Sequence, residues 1–126
     1  MSNPDLIKNY DAGAAIAPYR IAKFGASDGE VVQAAAAGDA LMGVVISPRA
    51  RETGDRVDVV RSGLAPVEYG GNVTRGDLLT SDANGAAITA APSAGANMRV
   101  IGTAEVSGVA GDIGEVMIGA GEVQGA

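Results

Sequence analysis

Carboxylate side chains beside glycine are the first residues of this chain whose types and spacing could do chemistry. Asp28 and Glu30 flank Gly29, and two carboxylates so close together could bind a cation or share a proton. Asp-Gly is also typical of a tight hairpin turn, because glycine readily adopts the positive φ that such turns require. We therefore interpret the pair as a hydrated turn rather than as a site.

A second group of acidic and amide side chains resembles part of a calcium loop. Asp77 lies near Asp82 and Asn84, and the Asp-Ala-Asn-Gly run has the spacing of the middle of such a loop. The full pattern also needs an acid two residues before Asp82 and a glutamate six residues after the glycine. Thr80 and Ala91 occupy those positions. The pattern fails, and the sequence predicts a turn here and no metal site.

Histidine and cysteine are both absent from the 126 residues. Without histidine there is no imidazole to act as a general base near neutral pH and no histidine-bound zinc. Without cysteine there is no thiolate nucleophile, disulfide or iron–sulfur cluster. Ser107 does not lie on a nucleophile elbow, because Glu105 and Val109 replace the two glycines of that motif. We expect no catalytic residue and no cofactor, and we predict that the chain is not an enzyme.

The charge balance argues against nucleic acid and membrane as partners. The chain has 9 basic and 15 acidic residues and a net charge of −6, whereas binding to a phosphate backbone needs a cationic face. Arg49, Arg51 and Arg56 share a loop with acidic residues, so we interpret them as solvated. No apolar run is long enough to span a membrane. The polar, acidic start lacks the features of a signal peptide, and we expect the protein to stay in the compartment where it is made.

Short β-type runs separated by Gly, Asp, Asn and Pro form the framework that must position these residues. The runs are rich in valine and isoleucine, and they recur at the spacing expected for a β-sandwich or β-barrel. The pairs Asp28-Gly29 and Asn84-Gly85 predict hairpin turns between neighbouring runs. The predicted strands are Ala17–Phe24, Glu30–Ala34, Leu41–Ile46, Arg56–Ser62, Ala65–Tyr69, Asp77–Ser81, Ala86–Ala90, Met98–Ser107 and Ile113–Gly119.

The predicted fold class is all-β. We expect a small β-barrel or sandwich of short antiparallel strands, with Gly, Asp and Asn turns and an extended N-terminal arm. The chain divides into an arm at 1–13, a β domain at 14–119 and a flexible C-terminal tail at 120–126. We expect that the arm can be deleted while the β domain stays folded.

Small side chains dominate the composition, and this raises the question of what stabilises the fold. The chain has 19 glycines and 24 alanines but only three tyrosines and one phenylalanine, so little bulk is available to bury. Some predicted strands are nevertheless apolar on both faces, as where Ile113 and Met117 oppose Val116 and Ile118. Such strands suit either a sandwich interior or a subunit interface.

Tyrosines and the apolar residues of the arm are the candidate contact residues. Tyrosine is favoured at interfaces because its ring is rigid and its hydroxyl can bond, but a tyrosine is equally suited to the core or to a sheet edge. The arm could add a strand to the exposed sheet edge of a partner. The candidate contact residues are Leu6, Ile7, Tyr10, Tyr19 and Tyr69.

The Tyr-Gly-Gly-Asn-Val-Thr-Arg-Gly-Asp run at 69–77 is the most specific motif of the chain. Together with other runs, it resembles the tailed-phage capsid decoration proteins, also known as capsid cement proteins. The resemblance extends over most of the chain, 14–119. The runs that carry it are 19–29, 41–44, 54–60, 67–82, 94–102 and 107–113.

This resemblance implies a virion protein, made in the cytoplasm of a bacterial host, that binds the outer surface of an expanded icosahedral head. It would stabilise contacts between subunits of the major capsid protein, which is the implied partner. It would act as a homo-oligomer, a trimer in preference to a dimer, and the arm at 1–13 would contact the shell.

The sequence leaves open a different class of function, that of a binding module. A small β-barrel module of a virion or tail could bind a ligand or a carbohydrate. Such a module needs a platform of aromatic side chains, and the chain has only four aromatic residues.

Overall fold

The computed structural model describes residues 3–125, and it confirms the all-β fold class: this part of the chain contains nine strands and no helix. Eight of the strands overlap strands predicted from the sequence, and the first does not. In chain order the strands are β1 (Asn3–Ala12), β2 (Arg20–Phe24), β3 (Glu30–Gln33), β4 (Leu41–Val45), β5 (Arg56–Glu68), β6 (Leu78–Ser81), β7 (Ala87–Thr89), β8 (Asn97–Ala104) and β9 (Ile113–Gln124).

Five strands close into a ring. The sheet runs in the order β1-β3-β2-β4-β5-β9-β8-β6-β7, and β1 also pairs with β5. This extra pairing closes β1, β3, β2, β4 and the first half of β5 into a small barrel. The strand pairs are antiparallel except β1 with β3, which is parallel and short: Asp11 pairs with Glu30 and Ala12 with Val31.

The long strand β5 joins the ring to the rest of the sheet. Its first half pairs with β1 and β4, and from Gly63 onward it pairs with β9. Gly63 has φ +96°, and a Cβ there would lie 2.9 Å from the carbonyl oxygen of Asn3. The sequence predicted two strands, 56–62 and 65–69, separated at this glycine. The predicted interruption between these two strands is wrong, because Gly63 lets β5 change direction against β1 without ending.

Two apolar cores lie on opposite faces of the same strands. The ring interior holds Ala22, Val45 and Val59, while the adjacent residues point into a second core between the ring and the remaining strands. Successive strand residues face opposite sides, so strands that are apolar on both faces supply both cores. The second core includes Ile21, Val44, Val60, Tyr69, Leu79, Ile101 and Val116.

Glycine allows close strand approach inside this small molecule. A Cβ on Gly43 in β4 would lie 2.6 Å from Val59 Cγ1 and 3.2 Å from the carbonyl carbon of Val60, both in β5. Only a residue without a side chain fits between strands at this distance. The glycine-rich composition therefore contributes tight packing in place of side-chain bulk.

The same Gly-Asp turn precedes three strands. In each, the glycine has φ between +92° and +95°, and the aspartate carboxylate accepts a hydrogen bond of 2.9 Å from the backbone N–H three residues earlier. Such bonds hold the turn in the shape that starts the strand. The turns are Gly54-Asp55 before β5, Gly76-Asp77 before β6 and Gly111-Asp112 before β9.

The two ends of the chain are paired within the sheet. In β1, Tyr10 and Ala12 are buried in the ring core. We therefore expect that the segment 1–13 is needed for folding, whereas the sequence led us to expect that it could be deleted without unfolding the β domain. At the other end, β9 continues past Gly119 and pairs Gln124 with Asn97 of β8. The division of the chain into arm, domain and tail stays a prediction.

Candidate interaction surface

The carboxylates singled out from the sequence stabilise turns. Glu30 Oε1 accepts a hydrogen bond of 3.0 Å from the backbone N–H of Ala26, within the turn between β2 and β3. Asp82 Oδ1 accepts bonds of 2.8 Å and 3.0 Å from the N–H groups of Asn84 and Ala86. Within residues 3–125, no group of three or more acidic side chains is arranged to hold a metal ion.

Tyr69 is a core residue, which is the alternative that the sequence left open. Its side chain is fully buried, and its hydroxyl donates a hydrogen bond of 2.7 Å to the carbonyl oxygen of Val106. Gly108 and Gly114 leave the space that the ring occupies, since a Cβ on Gly108 would lie 2.8 Å from Tyr69 Cδ2. Burial, reinforced by the negative charge of Asp112, raises the pKa of the Tyr69 hydroxyl.

Replacing Tyr69 by phenylalanine is expected to change how stability depends on alkaline pH. A raised pKa in the folded state means that the unfolded chain ionises first, so this residue lowers stability as pH rises above about 10. Phenylalanine cannot ionise, and at neutral pH it loses about 1 kcal/mol with the hydroxyl bond. Urea unfolding of the wild type and the variant at a series of alkaline pH values measures, for each protein, the slope of the free energy of unfolding against pH. Equal slopes would show that Tyr69 does not couple folding to pH.

The other two tyrosines among the candidate contact residues, Tyr10 and Tyr19, lie in different surroundings. Tyr10 is only 3% exposed, and its hydroxyl accepts a hydrogen bond of 2.6 Å from Arg61 Nη1. Tyr19 is half-buried, and it is the non-glycine residue with a positive φ, 56°, in the part of the chain that the structure describes. Its backbone is held on both sides, because its N–H donates to Ser47 and its carbonyl accepts from Glu68.

Leu6 and Ile7 are exposed on β1. Leu6 is 54% exposed and Ile7 43%, and the register of β1 against β5 shifts on each side of Leu6. The structure therefore does not bring the five predicted contact residues into one surface: Tyr10 and Tyr69 are in the two cores. The contact role stays a prediction for Leu6, Ile7 and Tyr19.

An apolar row crosses the outer face of the sheet, and we call it the outer row. Met117 of β9 pairs with Leu64 of β5 on one side and with Thr103 of β8 on the other, and Thr103 in turn pairs with Leu78 of β6. Paired residues share a face, so these side chains form one line across four strands. Ile113 lies on the same face of β9, four residues before Met117.

The outer row is solvent-exposed, whereas the other face of the same strands is core. Met117 and Leu78 are each 44% exposed and Ile113 is 47% exposed, while the alternating Val116 and Ile118 are buried. Apolar side chains grouped on one exposed face mark an interaction surface more often than isolated ones do. The sequence showed that β9 is apolar on both faces, but only the register identified which neighbours extend the row.

The outer row can bind by apolar burial, because most of its side chains are apolar. Thr103 contributes a hydroxyl within it, and the half-buried Glu115 lies between Ile113 and Met117 on the same face of β9. In the described residues, no helix is long and apolar enough to cross a membrane. An exposed apolar row of this kind is suited to burial against another protein.

Comparison with known proteins gave a likeness to a solved structure. A search of family models found no match, and a search of curated proteins found none. Among solved structures, the chain is similar to the N base of the head fiber gp8.5 in bacteriophage phi29, with a TM-score of 0.66 and 21% sequence identity. The match covers 90% of this chain and 93% of that one. Across nearly its whole length, the chain therefore has the fold of the base of a phage head fiber.

Proposed function

We propose that this chain is a structural protein of a tailed-phage head, which decorates the outer surface of the expanded shell. The observation that carries the proposal is the likeness of fold, end to end, to the base of a protein described as a phage head fiber. The motif at 69–77 and the runs around it, which resemble capsid decoration proteins, point independently in the same direction.

The partner in this proposal is the major capsid protein, and the outer row supplies the contact. Its exposed apolar side chains gain free energy when a partner covers them, at roughly 25 cal/mol per Å² of apolar surface. A shell presents the same binding surface many times, so a homo-oligomer would bind through several moderate contacts at once. We propose a trimer in preference to a dimer, and a virion location on the outside of the capsid.

An enzymatic role is not part of the proposal. The carboxylates with suggestive spacing are engaged in turns, with backbone N–H groups 2.8–3.0 Å from their oxygens. A carbohydrate-binding module needs aromatic rings side by side, but Tyr10 and Tyr69 are buried. Tyr19 directly precedes β2, whereas Phe24 is the last residue of that strand.

Shell binding tests the proposal directly. Purified protein mixed with expanded shells that lack decoration is expected to sediment with them at a fixed ratio to the capsid subunits. Protein that stays in the supernatant at every concentration would refute decoration as its function. Retention on a glycan array without any binding to shells would support the carbohydrate-binding alternative instead.

A charge placed in the outer row is expected to weaken that binding. Met117→Glu puts a carboxylate where the proposal buries a thioether, and burying an unpaired charge is costly, so we expect shell affinity to fall by about tenfold or more. The matched control is Ala50→Glu, which adds the same charge at an exposed position in the loop between β4 and β5. Equal affinities of the two variants would exclude the outer row as the contact.

A further inference from the structure

Four side chains from three strands of the ring are linked by contacts, and we call this group the barrel mouth. They are Lys8, Tyr10, Phe24 and Arg61. Tyr10 is central, because its hydroxyl accepts the bond from Arg61 Nη1 while Lys8 Nζ lies 5.1 Å from the centre of its ring. The guanidinium carbon of Arg61 lies 5.5 Å from the centre of the Phe24 ring. The group therefore combines two cations with two aromatic rings.

The cations of the barrel mouth have no acidic partner within residues 3–125. Four of the other basic residues form salt bridges with carboxylates, but neither Lys8 nor Arg61 does. Arg61 Nε is buried and has no hydrogen-bond partner, an arrangement that native proteins seldom keep without a reason. In a chain of net charge −6, two cations that contact the same tyrosine are thus left without carboxylates, and their charge favours an anion nearby.

An open strand edge runs beside the barrel mouth. Strand β1 pairs with β3 only at Asp11 and Ala12, whereas from Asn3 to Asn9 it pairs on one side alone, with β5. The backbone N–H and C=O groups on the other side of this stretch face no strand in the described structure. Such an edge can pair with an added extended segment. Leu6 lies on this edge strand, and both Leu6 and the Phe24 of the barrel mouth are more than half exposed.

We propose that the barrel mouth binds an extended, acidic segment of a partner protein. The carboxylates of the segment would bond to Lys8 Nζ and to the guanidinium of Arg61. Its backbone would pair with the open edge of β1, and its apolar side chains would pack on Phe24. A nucleic acid offers anions but no strand backbone for the edge, and the net charge of the chain repels it. The inference goes beyond the proposed function, because it holds whether or not the partner belongs to a capsid.

Fluorescence anisotropy with a short capped peptide of alternating glutamate and valine tests the proposal on the isolated protein. We expect saturable binding that weakens as salt is added, and no binding by the peptide in which glutamine replaces every glutamate. Lys8→Gln, at an exposed position, and Arg61→Gln should each lower the affinity about tenfold. The control is Arg75→Gln, which removes an exposed arginine from the turn before β6 and should leave the affinity unchanged.

Several results would overturn the proposal. These are failure of the acidic peptide to bind, equal affinity of Lys8→Gln and the wild type, and equal competition by inorganic phosphate or oligothymidylate. Lys8 is exposed, so its variant gives a result even if Arg61→Gln lowers the melting temperature. The assay contains no capsid, and its failure is therefore distinct from a failure of shell binding.

Discussion

Deletion of residues 1–12 is expected to unfold the ring rather than to release a dispensable arm. Strand β1 pairs with β5 from Asn3 to Asp11 and places Tyr10 in the ring core. Loss of one buried aromatic side chain alone costs about 3–5 kcal/mol, against a total of about 5–15 kcal/mol for a typical domain. Without β1 the edges of β3 and β5 are also exposed to water. Thermal unfolding and hydrogen exchange at β2, β4 and β5 measure the loss.

A matched variant separates the strand from its exposed side chains. Replacing Leu6 and Ile7 by threonine keeps the backbone of β1 and its buried Tyr10, so we expect a change in the free energy of unfolding of about 1 kcal/mol or less. If the protein that lacks residues 1–12 melted at the same temperature as the full chain, β1 would be a dispensable arm. The ring would then be stable with four strands.

Gly114→Ala is expected to destabilise the protein by about 3 kcal/mol or more, near the upper end for overpacked cores. A Cβ at this position would lie 2.6 Å from Tyr69 Cε2 and closer still to the hydroxyl end of the ring. The ring cannot retreat, because it is fully buried and its hydroxyl is bonded to Val106. Urea denaturation of the variant measures the cost.

The chain offers a control on the same strand. Gly119 lies in β9, has an ordinary negative φ, and a Cβ there would have no atom within 4 Å. We expect Gly119→Ala to be neutral or slightly stabilising, since alanine restricts the unfolded chain. In a Tyr69→Leu background the cost of Gly114→Ala should fall sharply, which a double-mutant cycle detects. Additive costs would show that the Tyr69 ring is not what excludes a side chain at 114.

Local sequence signals predicted the hairpins correctly. Gly29 and Gly85 adopt φ of +77° and +73°, and the pairs Asp28-Gly29 and Asn84-Gly85 connect β2 to β3 and β6 to β7, as expected. Such turns depend on a few adjacent residues, so a glycine after an aspartate or asparagine is sufficient evidence. The alternation within β9 was also visible, because strand periodicity is local.

Long-range pairing could not be predicted in the same way. Strand β1 was missed because its apolar residues are isolated and it carries two register shifts, so no alternating pattern marks it. The outer row was missed because Leu64, Leu78 and Met117 meet only through the order of the strands in the sheet. The barrel mouth depends on the same information, since Tyr10 and Arg61 are 51 positions apart.

Closure of the ring by its first strand has a consequence for how the chain folds. During synthesis β1 leaves the ribosome about fifty residues before its partner β5, so β1 stays unpaired until β5 is made. Contacts so distant in sequence slow folding, because the intervening chain must be ordered before they form. Until β5 is made, the exposed Leu6 and Ile7 leave the edge of β1 open to pairing with neighbouring nascent chains.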